Sequence, residues 1–219
     1  MNVRNKWMPA LLLMLLLVFS MMPAGASVKA HVGEKTDSAC LSPKMVQLQG
    51  DLRKLWIDHA IWTKKYVISA LANLPDQKEI LARLLQNQQD IGNAFKPYYG
   101  EEAGNKLAEL LREHILLAGK IVAAAKAGNQ ADMKKLDADW HRNADDIAEF
   151  LSGANPNWKF KDLQEMLYTH LQLLTDQIVA RIKNDWKGDI EAYDKYETQI
   201  IHMADAFTEG IVKQFPGKF

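Results

Sequence analysis

Residues 55–67 read LWIDHAIWTKKYV, and two later stretches repeat the form: LLREHILLAGKIV at 110–122 and MLYTHLQLLTDQIV at 166–179. In each, a histidine (His59, His114, His170) stands between apolar residues spaced three and four apart, which puts it on the buried stripe of an amphipathic helix. The histidines are 55 and then 56 residues apart. Recurrence at such a period marks one supersecondary unit used three times.

Working outward, Leu48, Leu52, Leu55, His59, Trp62 and Tyr66 form the first stripe. The Asn73-Leu74-Pro75-Asp76 break ends that helix and begins a second with proline near its first turn. The second helix buries Leu81, Leu84, Leu85, Gln88, Ile91 and Phe95 and stops at Lys96-Pro97-Tyr98-Tyr99-Gly100. A third runs from about Glu101 to Ala127, and Ala127-Gly128-Asn129 turns the chain into a fourth carrying Leu136, Trp140, Asn143, Ile147 and Phe150. After Ser152–Trp158, a fifth carries Leu163, Met166, His170, Leu173 and Ile178, and a sixth Ile190, Tyr193, Ile200, Ala204, Phe207 and Ile211. No alternating β pattern of useful length occurs. The expected fold is all-α: a six-helix bundle of three tandem helical hairpins with a pseudo-threefold repeat, closed rather than an open array.

The amino terminus reads as an export signal. Arg4 and Lys6 precede an apolar run from Ala10 to Met22, and Pro23-Ala24-Gly25-Ala26 supplies the small residues a signal peptidase accepts. The run is short for a membrane span. The expected division is a signal peptide over residues 1–26, a flexible leader over 27–43 and a helical bundle domain over 44–219, with a secreted or cell-envelope location and no transmembrane helix in the mature form. The single cysteine, Cys40, permits no internal disulfide, so the core must supply the stability. Basic and acidic residues number 27 each. Removing Arg4 and Lys6 leaves the mature chain slightly acidic, which points away from nucleic acid as a partner.

A buried imidazole needs hydrogen-bond partners for its nitrogens. Gln88 and Asn143 occupy inward positions on the second helices of their hairpins, and Glu197 or His202 could serve in the third. Trp62, one turn beyond His59, could wall a ligand pocket. Two readings follow. In one, His59, His114 and His170 are a satisfied polar layer that fixes the register of three similar hairpins. In the other they converge as three nitrogen ligands for a divalent transition metal (zinc, iron or copper), or around a small polar ligand. No Glu-x-x-His pair of di-iron bundles, nucleophile elbow, phosphate loop or dinucleotide fingerprint occurs, so the sequence carries no catalytic set. The leading expectation is a non-enzymatic extracytoplasmic binding or interaction module for a small molecule, a metal or a cell-envelope partner. A metal-binding protein or metalloenzyme using the histidine layer is the alternative.

The stretches LWIDHAIWTKK (55–65), NQQDIGNAFKPYYG (87–100), LLREHILLAGKIV, WHRNADDIAEFLSGANPNW (140–158) and MADAFTEGIVKQFPGKF (203–219) together resemble a family of uncharacterised exported helical proteins from spore-forming bacteria. The resemblance covers about Leu52 to Phe219 and includes the three histidines. It departs at Lys64, where arginine is usual, and at Leu174, where threonine is usual. Members sometimes carry the labels acetylglutamate kinase or glycosyltransferase, but this chain has no motif for a nucleotide, phosphate or nucleotide-sugar site.

Overall fold

Ser42 begins the first helix: its hydroxyl accepts from the Met45 N–H at 3.2 Å, and Pro43 follows in the first turn, where a missing N–H costs nothing. The structure, a computed structural model, describes residues 41–219. The expected signal peptide, its cleavage point and most of the leader lie outside the described residues. Helix α1 spans Pro43–Ala72, α2 Gln77–Ala127, α3 Gln130–Ala154, α4 Phe160–Ile182 and α5 Trp186–Gln214, with a short 3-10 turn at Pro216–Lys218. The described residues contain no strand, and none of their helices is long and apolar enough to cross a membrane.

Local chemistry places each boundary. Asn73 takes the left-handed conformation after α1 (φ 53°), and Gly128 does so after α2 (φ 67°), the usual way to close a last helical turn. Asn129 and Asp185 cap α3 and α5 by accepting from the N–H groups of Asp132 and Gly188.

Five helices stand where six were expected. The expected break at Lys96–Gly100 falls inside α2, where Gly100 alone leaves helical geometry, with φ 87° and ψ 170°. That region is open only to glycine at low cost, so one residue redirects the chain without a loop. Past it the chain returns alongside itself: a side chain at Gly92 would run into Gly104 and Ala108.

Each helix packs on the next and α5 closes back on α1. At one end Lys126 donates to the Ala70 carbonyl and to Asn73. At the other, Tyr99 donates to Gln214, Asn155 donates to Tyr99, and Lys44 and Lys218 donate to the carbonyls of Lys218 and Pro97. Phe95, Tyr99, Trp158 and Phe207 fill that second end as a connected aromatic cluster.

The buried stripe of α1 is Leu48, Leu52, Trp56, His59, Thr63 and Tyr66. Leu55 and Trp62, expected within it, are half-buried at its flank. Over a 30-residue helix the 3.6-residue turn drifts against any fixed spacing of three and four, so the inward face moves from one row to the next.

Candidate functional site: a buried histidine layer

His59 on α1, His114 in the second half of α2 and His170 on α4 are 3%, 4% and 2% exposed. Their rings gather in the middle of the bundle: the centroid of His170 lies 5.6 Å from that of His59 and 5.9 Å from that of His114. Each ring presents Nδ1 to an amide side chain 29 residues further along the chain. His59 meets Gln88 at 3.2 Å, His114 meets Asn143 at 2.9 Å and His170 meets Gln199 at 3.3 Å.

The amides are themselves pinned. Asn143 donates to the carbonyl of Leu110 and Gln199 to that of Met166, in both cases the residue four before the histidine. Between α1 and α2 Asn87 takes that task, donating to the Leu55 carbonyl at 3.0 Å. A helical carbonyl has a spare lone pair beyond its ladder bond, and these bonds tie each pair of helices together at one level.

The pinning settles where the protons sit. Because the N–H groups of Asn143 and Gln199 point at carbonyls, their oxygens face the rings, and His114 and His170 must donate from Nδ1–H. Gln88 Nε2 shares its two protons among three acceptors, Leu84 O, Asn87 Oδ1 and His59 Nδ1; because His59 Nδ1 faces that amino group it bears no proton, and the His59 proton is on Nε2. Tyr196 of α5 completes the layer, its hydroxyl 3.3 Å from His59 Nε2 and 3.4 Å from His170 Nε2. His59 Nε2–H donates to the hydroxyl, and the hydroxyl donates to His170 Nε2. One directed chain therefore runs Gln88, His59, Tyr196, His170, Gln199, Met166 carbonyl.

Aromatic faces seal the layer. Trp56 packs edge-on to His59, Trp140 lies tilted against His114 and Tyr196 against His170, at centroid distances of 5.7, 5.2 and 4.8 Å. Burial holds all three histidines neutral. It lowers His59 to about 3 and His114 to about 4, and puts His170 well below the ordinary value of 6.5, with mutual repulsion among the rings lowering His59 and His170 further. Burial also raises the Tyr196 phenol far above its usual range.

The layer thus brings together His59, His114, His170, Gln88 and Asn143. It does not include Trp62, whose half-buried ring lies under Lys65 and Arg83; the indole beside His59 is Trp56. Neither Glu197 nor His202 supplies the third partner: His202 is exposed, and Gln199 makes the bond. The 29-residue step from His59 to Gln88 and from His114 to Asn143 points to Gln199 when counted from His170. Tyr196 carries no comparable signal in the sequence. Asp58 and Glu113 turn outward, Asp58 to Lys54 and Arg83, Glu113 to Arg142.

As a metal site the arrangement fits poorly. All three Nδ1 atoms face amides and two of the three Nε2 atoms face the Tyr196 hydroxyl, leaving no three lone pairs aimed at one point. Among the described residues no group of three or more His, Cys, Asp or Glu side chains is set to hold a metal ion.

Away from the layer, an open cleft of about 750 Å³ is lined by Tyr99, Glu102, Asn105, Lys106, Glu109 and Phe150. The buried carboxylate of Asp189 is held by Arg181 at 2.7 Å and Gln177 at 3.2 Å, with Lys64 at 3.9 Å. Comparison with protein-family models, with curated proteins and with solved structures finds no significant match to this chain.

Proposed function

We propose that this chain is a non-enzymatic extracytoplasmic binding or interaction module, built as three tandem helical hairpins with a pseudo-threefold repeat. In this reading α1 with the first half of α2, the second half of α2 with α3, and α4 with α5 are the three units. The observation that carries the proposal is the histidine layer: its buried imidazoles bond to amide side chains of the same bundle, and the bonds recur at one 29-residue step. Groups so engaged hold helices in register and leave no activated acid, base or nucleophile. Export rests on Arg4, Lys6 and the apolar run from Ala10 to Met22.

A partner from the cell envelope then has to be met at the surface, and the cleft beside Tyr99 and Phe150 offers it aromatic faces and charges of either sign. Co-sedimentation of the secreted protein with washed cell-wall sacculi and with lipid vesicles tests this. Saturable binding weakened by Phe150→Ala or Lys106→Glu is the expected result, and no binding to either material would overturn it. Elemental analysis of tag-free protein tests the alternative. Stoichiometric zinc, iron or copper that disappears in His59→Gln, His114→Gln and His170→Gln variants would replace this reading with the metal one.

A further inference from the structure

Three imidazoles on three helices share one buried layer, and their partners set one pattern of protons in the neutral state. His59 already accepts at Nδ1 from Gln88 and donates from Nε2 to Tyr196, while His170 accepts at Nε2 from Tyr196 and donates from Nδ1 to Gln199. A proton added at His59 Nδ1 sets its N–H against that of Gln88, and one added at His170 Nε2 forces the Tyr196 hydroxyl to stop donating there and turn its proton away. Among the described residues no hydrogen-bond partner faces His114 Nε2, so His114 can take a proton without losing a bond, but its ring then carries charge 5.9 Å from that of His170.

Burial outweighs what favours such a charge, which for His114 is the Asn143 bond and the neighbouring carboxylate of Glu113. From α1 the nearest acid is Asp58, engaged outward with Lys54 and Arg83; from the second half of α2 it is Glu113, engaged with Arg142. The first half of α2 contributes the neutral amides of Asn87 and Gln88, and α3 contributes Asn143 and the Trp140 ring. From α5 comes the neutral Tyr196 hydroxyl. Asp189, also on α5, is bound to Arg181 and Gln177, and α4 contributes only His170 itself.

We infer that the layer is an acid-sensitive latch: neutral, it clasps α1, α2, α4 and α5 through one hydrogen-bond chain, and protonation of its histidines opens the bundle cooperatively. The sign follows from burial. In the unfolded chain the histidines take up protons near pH 6.5, whereas in the folded chain His114 does so only near pH 4 and His59 near pH 3. Stability is therefore fully present above about pH 6.5 and is lost as the pH falls toward the folded values. Each histidine makes the folding equilibrium fall by up to about tenfold per pH unit within that window, and three together by up to about a thousandfold.

Urea unfolding measured from pH 7.5 to 4.5 on the wild-type protein and on His59→Gln, His114→Gln and His170→Gln variants tests the latch. Each glutamine keeps a polar side chain but does not titrate. The expected result is a pH slope lower by about one proton in each variant than in the wild type. If a glutamine variant unfolds at neutral pH, the corresponding asparagine variant replaces it, and proton uptake on unfolding of the wild type, measured calorimetrically at pH 5.5, provides an independent count. Wild-type slopes in the layer variants, or an uptake no greater in wild type than in a layer variant, would overturn the inference.

Discussion

Tyr196 on α5 places its hydroxyl 3.3 Å from Nε2 of His59 on α1, a residue 137 positions earlier in the chain. The same oxygen faces His170 at 3.4 Å, so one phenol joins the first and third histidines. That bridge crosses the seam where the last helix closes on the first, and it joins α1, α2, α4 and α5 through one polar chain.

Removing the bridge atom should be costly in proportion to the partners it abandons. Tyr196→Phe keeps the packing of a side chain that is fully buried, yet strands His59 Nε2–H without an acceptor and His170 Nε2 without a donor. We expect a loss of about 2–4 kcal/mol in chemical denaturation. A loss below about 0.5 kcal/mol would mean that the hydroxyl does not hold the layer together.

The His114–Asn143 bond can be isolated with a double-mutant cycle. His114→Leu and Asn143→Leu should each cost about 1–3 kcal/mol, because each leaves a buried partner unpaired. The double variant should cost less than the two single effects added, by about 1–2 kcal/mol. Strict additivity would mean that the 2.9 Å contact contributes nothing to stability.

Glycine positions should respond in opposite directions. A side chain at Gly210 would overlap the indole of Trp158, which is fixed there by donating to the Ala206 carbonyl at 3.0 Å, so Gly210→Ala should destabilise by about 1–3 kcal/mol. Gly50 lies on the exposed face of α1 with open space around it, and Gly50→Ala should stabilise by up to about 1 kcal/mol. Thermal melts of the two variants moving the same way would contradict the packing described for that end of the bundle.

Asp189 offers a test of buried charge. Asp189→Ala leaves the guanidinium of Arg181 and the amide of Gln177 without their acceptor, and a loss of about 2–3 kcal/mol is expected, discounted for the partial exposure of Arg181. Asp189→Asn keeps the shape and one acceptor and should cost less. Equal losses would show that shape rather than charge matters at this point.

Much of the fold was open to sequence reading because its causes are local. Helical periodicity, the Asn73 and Gly128 ends, and the inward place of His59, His114 and His170 follow from residue types within a few positions of one another. The partners Gln88 and Asn143 were legible for the same reason, being polar residues on apolar stripes. Trp62 was misplaced because a long helix rotates its inward face, and spacing counted from one end cannot show where a neighbouring helix will lie.

What only the tertiary structure decided is relational. Gly100 could have ended one helix and begun another across a loop, but its single non-helical conformation inside α2 depends on Gly92 meeting Gly104 on the returning segment. Gln199, and neither Glu197 nor His202, meets His170 where α5 packs on α4. The sequence determined that three buried histidines would need partners. Which nitrogen carries each proton, and that Tyr196 closes the chain of bonds, was decided by contacts as distant as 137 residues, because hydrogen-bond direction belongs to the assembled partners and not to any residue alone.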